Sequence, residues 1–254
     1  MSLFDLSGKV ALVTGSTKGI GEAIVHRFAD HGANVVVSSR KGEVCQKVAA
    51  DINQAHGKQV AHAIPCNINY KEQLQALVEE THATFGKIDI LVCNAALNPY
   101  YGPSAGIPDE AFDKIMGANV RSNHWLTQMV LPEMVERKDG VITLVSSIGG
   151  MKGSAVIGAY CISKAADLQI ARNIAVEYGE HNIRANCIAP GLIKTDFARA
   201  LWENPKTLEF ATSGSALRRI GEPDEIAGAA VFLASKAGAF MTGQTIIIDG
   251  GALA

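Results

Sequence analysis

Tyr160 and Lys164 form the residue pair that most directly suggests acid–base chemistry in this sequence. They stand four positions apart in AYCISKAAD (residues 159–167), a spacing that puts both side chains on one face of a helix. The pKa of an isolated tyrosine is about 10, and a nearby ammonium stabilises the phenolate and lowers that pKa. A tyrosine tuned in this way exchanges protons with a substrate hydroxyl or carbonyl. The pair alone leaves a second interpretation open, in which Tyr160 packs into a core and Lys164 faces solvent.

A glycine-rich segment, TGSTKGIG (residues 14–21), follows the first apolar run of the chain. Gly15, Gly19 and Gly21 let the backbone turn tightly and approach a pyrophosphate, whose charge is favoured at the N-terminus of the helix that follows. The spacing is GxxxGxG rather than GxGxxG, and glycines also form purely structural turns. The position of the segment between a strand and a helix favours a dinucleotide site.

The end of the second apolar run, VVVSSRK, indicates which dinucleotide would bind. NAD sites usually carry an acidic residue here for the ribose 2′-hydroxyl, whereas this chain has Ser38 and Ser39 followed by Arg40. An acid would repel a 2′-phosphate, but Arg40 can pair with it through two hydrogen bonds. Lys18, inside the glycine segment, supplies a second positive group. We therefore predict NADP(H) as the cofactor, the alternative being that both residues are solvated surface cations.

Ser147 ends a later apolar run in LVSSIGG, thirteen residues before Tyr160. Parallel strands open at their carboxyl ends towards a ligand crevice, so a serine at such an end can hydrogen-bond a substrate oxygen. A lone YxxxK pattern is common by chance. The glycine segment, the strand-end serine and YxxxK in this order form a far more specific set.

Seven short apolar runs alternate with helical patterns along the chain, and we predict these runs as strands. Their hydrophobicity is continuous rather than alternating, which indicates strands covered on both faces, as in parallel sheets. The alternation predicts an α/β fold: a doubly wound, Rossmann-type parallel sheet of seven strands, with right-handed crossovers and helices on both faces. The runs are VALVTG (from Val10), ANVVVSS (from Ala33), QVAHAIPC (from Gln59), IDILVCNA (from Ile88), GVITLVSS (from Gly140), RANCIAP (from Arg184) and QTIIIDGG (from Gln244).

Apolar residues at helical spacing predict the helices between these strands. Glycines mark several of their ends, and Pro132 predicts a break or kink inside the longest helical region. The predicted helices run from Ile20 to about His31–Gly32, from Leu74 to Phe85 with Gly86 after it, from Asp109 to Arg137, from Ile157 to Tyr178, and from Pro223 to Leu233.

The segment 192–221 interrupts the alternation of strands and helices, because it is long and contains no convincing strand. Insertions of this kind are often lids or binding loops. We predict a single dinucleotide-binding catalytic domain over residues 1–254, with a substrate lid at about 192–221. The alternative is a helical excursion that only covers core.

The composition excludes several classes of protein. The chain has 254 residues, 48% hydrophobic and 19% charged, with a formal net charge of −2, so no basic excess suggests a nucleic-acid or membrane-surface protein. No apolar stretch reaches the roughly 18 residues that a membrane span needs, and the start lacks a secretory-signal layout. Five scattered cysteines without a CxxC pair predict neither a metal site nor a redox motif, and they favour a reducing, cytoplasmic location.

The motifs together resemble the short-chain dehydrogenase/reductase family over essentially the whole chain, from GKVALVTG to TGQTIIIDGG. Besides TGSTKGIG and YCISK, the chain has CNAA (residues 93–96) where the family has NNAG. The chain also has AN ending at Asn119, SS ending at Ser147 and PGLIKT (residues 190–195). At a less specific level, the chain is similar to the NADP-preferring carbonyl and retinal reductases of the family.

The resemblance implies a catalytic tetrad of Asn119, Ser147, Tyr160 and Lys164. Tyr160 would be the general acid in reduction, Lys164 would hold the nicotinamide ribose and lower the tyrosine pKa, and Ser147 would orient the carbonyl. Asn119 would hold a helix distortion and a water that links Lys164 to a proton relay. Relatives of this kind are usually tetramers, so a homotetramer is expected. The cofactor-binding residues implied are Gly15, Ser16, Lys18, Gly19, Ile20, Gly21, Arg40, Asn67, Ile68, Asn94, Ala95, Tyr160, Lys164, Pro190, Gly191, Ile193 and Thr195.

Two departures from the family pattern lie near the expected cofactor. The family usually has Asp-Val after the third strand, where this chain has Asn67-Ile68. An amide oxygen can still accept a hydrogen bond from the adenine amino group, so we expect binding with altered strength. In CNAA, Cys93 and Ala96 replace an asparagine and a glycine, which changes loop geometry rather than chemistry.

The residues expected around the substrate are mostly apolar, which suits an uncharged ketone, aldehyde or secondary alcohol. We predict a reversible NADPH-dependent carbonyl reductase. A 3-oxoacyl thioester reductase remains open, because Arg137, Lys138 and Arg172 could dock an acidic carrier protein. A non-enzymatic NADP-binding sensor or scaffold is the more distant alternative. The candidate pocket residues are Asn98, Tyr100, Tyr101, Ile148, Met151, Ile157, Leu192, Phe197 and Trp202.

Overall fold

The protein, described by a computed structural model over residues 2–254, is built on a seven-stranded sheet in the order β3-β2-β1-β4-β5-β6-β7. All neighbouring strands pair in parallel. The predicted doubly wound, seven-stranded sheet is therefore confirmed. The strands are β1 (Val10–Thr14), β2 (Asn34–Ser38), β3 (Ala61–Ala63), β4 (Ile90–Cys93), β5 (Gly140–Val145), β6 (Ile183–Pro190) and β7 (Thr245–Ile248).

Helices cover both faces of the sheet, because each face carries its own cluster of buried apolar side chains. One cluster packs α1, α2 and α9 on the sheet, and the other packs α3, α5 and α6. Burying one such Val, Leu, Ile or Phe side chain contributes about 1.5–3 kcal/mol. The helices are α1 (Gly19–Asp30), α2 (Gly42–His56), α3 (Lys71–Phe85), α4 (Asp109–Met116), α5 (Ser122–Arg137), α6 (Gly158–Tyr178), α7 (Arg199–Trp202), α8 (Pro205–Thr212) and α9 (Pro223–Ala234).

Local sequence signals explain several helix ends. Helix α3 ends at Gly86, which adopts the left-handed conformation (φ 80°) that glycine tolerates best. Helix α9 begins with Pro223 in its first turn, where the missing N–H costs nothing, and the Glu225 carboxylate accepts a hydrogen bond from the Glu222 backbone N–H.

Three elements differ from the sequence-based expectation. Strand β3 is shorter than the predicted run and spans only Ala61–Ala63. The helical region from Asp109 to Arg137 is distorted by a π-helical turn at Gly117–Arg121. Helix α5 is not broken at Pro132, where we expected a break or kink. Helix α2 was not predicted individually.

The segment 192–221 contains short helices and no strand, as expected. A 3₁₀ turn at Asp196–Ala198 leads into α7 and α8, and the Asn204 side chain caps α8 by accepting hydrogen bonds from two backbone N–H groups. A single parallel bridge between Ile193 and Gly221 closes the base of the segment. Across residues 2–254, none of the helices combines the length and apolarity needed to cross a membrane.

Candidate active site

The predicted tetrad residues come from three neighbouring parts of the fold. Ser147 lies two residues after the end of β5, Tyr160 and Lys164 lie on α6, and Asn119 lies in the π-helical turn. The carboxyl ends of parallel strands are where ligands bind in sheets of this kind. The structure therefore brings Tyr160, Lys164 and Ser147 to the sheet edge where the sequence predicts a substrate.

Tyr160 is half-buried, and two side chains lie close to its ring. The Lys164 Nζ atom is 5.9 Å from the centroid of the ring. The ring of Phe197, from the segment 192–221, lies 5.7 Å from the same ring, centroid to centroid, in a tilted arrangement. The phenol is thus in reach of a cation and is covered on one side by an aromatic side chain.

The pKa of Tyr160 is raised above its ordinary value, which differs from the expectation that Lys164 would lower it. Burial is the largest cause, because a phenolate loses its hydration inside the protein. Lys164 and the Ser147 hydroxyl both act in the expected direction and lower this pKa, but burial outweighs them. The structure therefore favours the protonated phenol, which is the form that donates a proton.

Lys164 is almost completely buried, with 2% of its surface exposed. Its ammonium donates hydrogen bonds to the Val145 carbonyl (2.8 Å) and to the Asp167 carboxylate (3.0 Å). Burial alone would lower the pKa of Lys164, but the carboxylate of Asp167 and the phenol of Tyr160 outweigh burial and raise it. Lys164 therefore stays charged inside the protein.

Asp167 is a residue that the sequence reasoning missed. It is fully buried, and its two carboxylate oxygens accept hydrogen bonds from Lys164 and from the Asn123 side chain (2.9 Å). The available signal was an acidic residue three positions after Lys164 in GAYCISKAADLQIA, a stretch with no other charged residue. Such a residue shares a helix face with the lysine.

Asn119 is fully buried and fixes the loop after β4 to α6. Its amide oxygen accepts from the Leu97 N–H (2.9 Å), and its amide nitrogen donates to the Leu97 carbonyl (3.0 Å) and to the Ser163 hydroxyl (3.0 Å). Its backbone carbonyl accepts a hydrogen bond from the Asn123 side chain (2.8 Å). Asn119 thus lies in the helix distortion that the resemblance implied, and its side chain is bonded to Leu97 and Ser163.

The glycine segment forms a tight cradle between β1 and α1. Gly15 has φ +66°, and a Cβ atom there would lie 3.0 Å from the Ala95 backbone. A Cβ on Gly21 would lie 2.4 Å from the Gly15 carbonyl oxygen and 2.5 Å from the Asn94 amide nitrogen. The Asn94 amide in turn donates to the carbonyls of Thr14 (3.0 Å) and Gly15 (3.1 Å). Only glycine fits these positions.

Ser16 and Lys18 lie in the same segment but have different surroundings. Ser16 is fully buried; its hydroxyl donates to the Val13 carbonyl (2.7 Å) and accepts from the Ser38 N–H (2.9 Å), so its side chain ties the segment to β2. Lys18 is exposed and pairs with Asp196 at 3.3 Å. The side chain of Lys18 therefore bridges to the segment 192–221.

Arg40 and Asn67 follow the carboxyl ends of β2 and β3. Arg40 is exposed, as a residue that meets a phosphate from solvent should be. The Asn67 amide oxygen accepts from the backbone N–H (3.2 Å) and the side-chain amide (3.1 Å) of Asn69. An adenine amino group that used this oxygen would compete with those two bonds.

The PGLIKT motif leaves β6 at Pro190 and leads into the segment 192–221. Ile193 is buried, and the Thr195 carbonyl accepts a hydrogen bond from the Trp202 indole N–H (2.8 Å), which fixes α7 beside the motif. The other cofactor residues expected are at least partly covered and lie on the same elements: Gly19 and Ile20 in α1, Ile68 after β3, Ala95 after β4, and Gly191 and Thr195 after β6.

Comparison with known proteins identifies relatives that match nearly the whole chain. A family model described as enoyl-(acyl carrier protein) reductase matches residues 15–252. Dehydrogenase/reductase SDR family member 4 from Bos taurus is 42% identical over 248 residues, covering 98% of this chain and 88% of the relative. The same-named human protein is 41% identical over 246 residues, covering 97% of this chain and 88% of the relative.

Solved structures agree with these sequence matches. A short-chain type dehydrogenase/reductase from Mycobacterium marinum is 34% identical with a TM-score of 0.91, covering 98% of this chain and 97% of that one. A gluconate 5-dehydrogenase from Burkholderia cenocepacia, in complex with NADP and tartrate, is 30% identical with a TM-score of 0.93, covering 98% and 97% of the two chains. Fold, motifs and relatives agree, and the chain belongs to the short-chain dehydrogenase/reductase family of oxidoreductases.

Proposed function

We propose that this protein is an NADP-dependent oxidoreductase that reduces ketones and aldehydes to alcohols, reversibly, with Tyr160 as the general acid. The observation that carries the proposal is the juxtaposition of Tyr160 with Lys164, 5.9 Å from its ring, and with Ser147, whose hydroxyl affects its pKa. These groups lie at the carboxyl edge of the sheet, where the glycine cradle also opens.

The residues present fit a dinucleotide. The cradle formed by Gly15 and Gly21 would hold the pyrophosphate, while residues after β6, from Pro190 to Thr195, would flank the nicotinamide end. When bound, the cofactor supplies the hydride that a carbonyl carbon accepts.

The chain's own residues would handle the proton. The Ser147 hydroxyl would hydrogen-bond the substrate oxygen and hold it beside Tyr160. The Tyr160 hydroxyl would then donate its proton to that oxygen as the alcohol forms, and the Lys164 ammonium would stabilise the phenolate that is left. Asn119 would keep the loop after β4 in place through its bonds to Leu97. In alcohol oxidation the same groups act in reverse, with the phenolate as the base.

Preference for NADP over NAD rests on the cations near the expected 2′-phosphate. The positions after β2 are Ser39, Arg40 and Lys41, without a carboxylate that would repel phosphate. Two similar proteins were solved with NADP: the Burkholderia cenocepacia gluconate 5-dehydrogenase and RhlG from Pseudomonas aeruginosa, which is 32% identical with a TM-score of 0.92.

Replacing Arg40 with aspartate should reverse the cofactor preference. The substitution removes a phosphate ligand and adds a repelling charge, so we expect the KM for NADPH to rise roughly 100-fold, with a smaller change for NADH. Lys58→Asp is a matched control, because Lys58 is an exposed cation just before β3. It therefore lies at the amino-terminal end of that strand, whereas Arg40 follows the carboxyl end of β2. Steady-state kinetics with both cofactors test this, and an unchanged KM for NADPH would remove the assignment of Arg40.

The substrate proposal rests on the apolar side chains around Tyr160. Phe197 contacts the Tyr160 ring, and Tyr101 and Met151 are exposed on the segments that follow β4 and β5. An uncharged carbonyl compound suits such surroundings. We further propose that the segment 192–221 acts as the lid of this pocket, since Phe197 belongs to it. A panel of uncharged ketones and aldehydes, assayed with NADPH and NADH side by side, is the direct test.

Reduction of a 3-oxoacyl thioester is the second candidate function, favoured by the matching family model, whose description refers to an acyl carrier protein. Arg172 is exposed and available to dock an acidic carrier, whereas Arg137 is bonded to Glu133 and to the Ile88 carbonyl. The same panel should include a 3-oxoacyl thioester. Turnover of the thioester that exceeds that of simple ketones by 100-fold or more would favour this candidate. Cofactor binding without any turnover would favour a sensor.

Assembly into a homotetramer is proposed from exposed apolar side chains on α6 and near β7. Val176 is 87% exposed and Phe240 is fully exposed, and Ile162 and Ile247 are also largely exposed. Such side chains mark contact surfaces where they form large continuous patches, so we propose that those on α6 and those near β7 form two such patches. The five cysteines are all buried free thiols, which agrees with the proposed cytoplasmic location.

The double variant Val176→Glu/Phe240→Glu should dissociate this assembly. Carboxylates on both surfaces would be buried without partners on association, so we expect sedimentation to shift from tetramer to smaller species. Phe210→Glu is the matched control, because Phe210 is 82% exposed but lies on α8, away from the proposed contacts. A monomeric wild-type protein would contradict the proposal directly.

A further inference from the structure

The buried carboxylate of Asp167 is hydrogen-bonded to Lys164, the cation beside Tyr160. Asp167 is completely buried, and its Oδ2 atom lies 3.0 Å from Lys164 Nζ. Its Oδ1 atom accepts from the Asn123 amide at 2.9 Å, and that amide also donates to the backbone carbonyl of Asn119 at 2.8 Å. A chain of hydrogen bonds thus runs from the π-helical turn through Asn123 and Asp167 to Lys164.

This chain fixes the position of the ammonium and offsets its charge. Lys164 Nζ lies 5.9 Å from the Tyr160 ring centroid, so the carboxylate, 3.0 Å from Nζ, is within about 9 Å of the phenol. Whichever of the two side chains holds the shared proton, the Lys164–Asp167 pair carries no net charge. The field that Lys164 alone would exert on the phenol is therefore partly cancelled.

The other titratable groups around the pair leave this balance unchanged near neutral pH. Cys93 at the end of β4 and Cys187 in β6 face the pair, and burial raises the pKa of both thiols, so both are neutral. Cys161 and Tyr160 lie on α6, and burial raises the pKa of each. Arg172, also on α6, is exposed to solvent, and α5 contributes the uncharged amide of Asn123.

We propose that Asp167 is a positioning residue that holds Lys164 and neutralises part of its charge, and thereby favours the protonated, proton-donating form of Tyr160. The inference rests on the proposed function, since it assumes that Tyr160 transfers the proton. It assigns a pH dependence within that function: the buried pair raises the pH at which Tyr160 loses its proton, and reduction needs the phenol whereas oxidation needs the phenolate.

The sign of the expected effect follows from this charge balance. Reduction is lost as pH rises through the pKa of Tyr160, and oxidation is gained over the same range. Asp167 and Tyr160 both help to keep the buried Lys164 charged. Without the Asp167 carboxylate, the Tyr160 phenolate is the main remaining partner for that charge, so the ionised Lys164–Tyr160 pair is favoured and the pKa of Tyr160 falls. In Asp167→Asn both limbs should move to lower pH by about one unit.

The test is the pH profile of kcat/KM in both directions for wild type, Asp167→Asn and Asp89→Asn. Asp89 is a matched control, because it is a buried carboxylate paired with a lysine, Lys87 at 2.9 Å. It directly precedes β4, so it lies at the amino-terminal ends of the strands, opposite the proposed site. We expect Asp89→Asn to leave the profile unchanged even where it lowers stability. A folded Asp167→Asn protein with a wild-type profile would overturn the inference.

A second variant and a titration that needs no substrate keep the inference testable if Asp167→Asn fails to fold. Asp167→Ser also removes the charge and leaves space for water, and the same shift is expected. Without cofactor, the ultraviolet phenolate signal of Tyr160, taken as the difference from the matching Tyr160→Phe protein, should appear only above about pH 10 in wild type and at lower pH in the Asp167 variants. A wild-type phenolate that forms well below pH 10, or the same titration in wild type and in a folded Asp167 variant, would overturn the inference. This titration needs no substrate. If the protein is inactive on every carbonyl compound, the proposed function is wrong, but the effect of Asp167 on the pKa of Tyr160 is still tested.

Discussion

Tyr160→Phe should lower kcat for carbonyl reduction roughly 10³-fold, the scale of losing a general acid. The ring that packs against Phe197 is retained, so the fold and the cofactor site should survive, and only the proton donor is removed. Steady-state kinetics with NADPH and the best carbonyl substrate measure the loss. NADPH binding, followed by fluorescence, should remain within about two-fold of wild type.

Tyr178→Phe is the matched control for this loss. Tyr178 lies on the same helix, α6, and is half-buried like Tyr160, but it lies near the far end of that helix. We expect this variant to keep nearly full activity. Retention of more than a tenth of wild-type kcat in Tyr160→Phe would mean that another group donates the proton.

Gly21→Ala should abolish productive cofactor binding. The added Cβ would lie 2.4 Å from the Gly15 carbonyl oxygen and 2.5 Å from the Asn94 amide, distances at which the backbone must move. Because Gly15 and Asn94 shape the proposed pyrophosphate cradle, we expect NADPH affinity to fall at least roughly 100-fold, about 2.7 kcal/mol. Fluorescence titration and thermal unfolding should be measured together.

Gly228→Ala provides the comparison for Gly21→Ala. Gly228 lies in α9, and a Cβ there would meet nothing within 4 Å. Alanine favours a helix over glycine by about 1 kcal/mol, so this variant should be slightly more stable and bind NADPH normally. Wild-type affinity in Gly21→Ala would show that the cradle does not hold the cofactor.

Much of the fold follows from continuous apolar runs and glycine positions. The apolar run that begins at Val10 contains β1, and the run GVITLVSS contains β5. Both runs could be predicted because strands covered on both faces need apolar residues on both sides. Pro223 and Gly86 mark helix ends for reasons that are local to the chain. The positions of Tyr160, Ser147 and the glycine segment could be predicted because strand ends and one helix determine them.

Other features depend on contacts between distant segments. The π-helical turn around Asn119 accompanies hydrogen bonds to Leu97 and Ser163. No local sequence pattern indicates these bonds, so local patterns predict a break or kink only at Pro132, and α5 is not broken there. The pKa of Tyr160 depends on how deeply the fold buries the phenol, which spacing to Lys164 does not reveal. The role of Asp167 required seeing Asn123 of α5 bonded to it.

The most direct test of the central claim is to mix the wild-type protein, pre-incubated with NADPH, with an uncharged carbonyl compound and follow the reduced-nicotinamide absorbance in a single turnover. The absorbance should fall as one alcohol forms for each NADPH consumed, because Tyr160 supplies the proton that completes reduction. NADPH that binds to the protein but keeps its absorbance with every carbonyl compound tried would contradict the proposed enzyme.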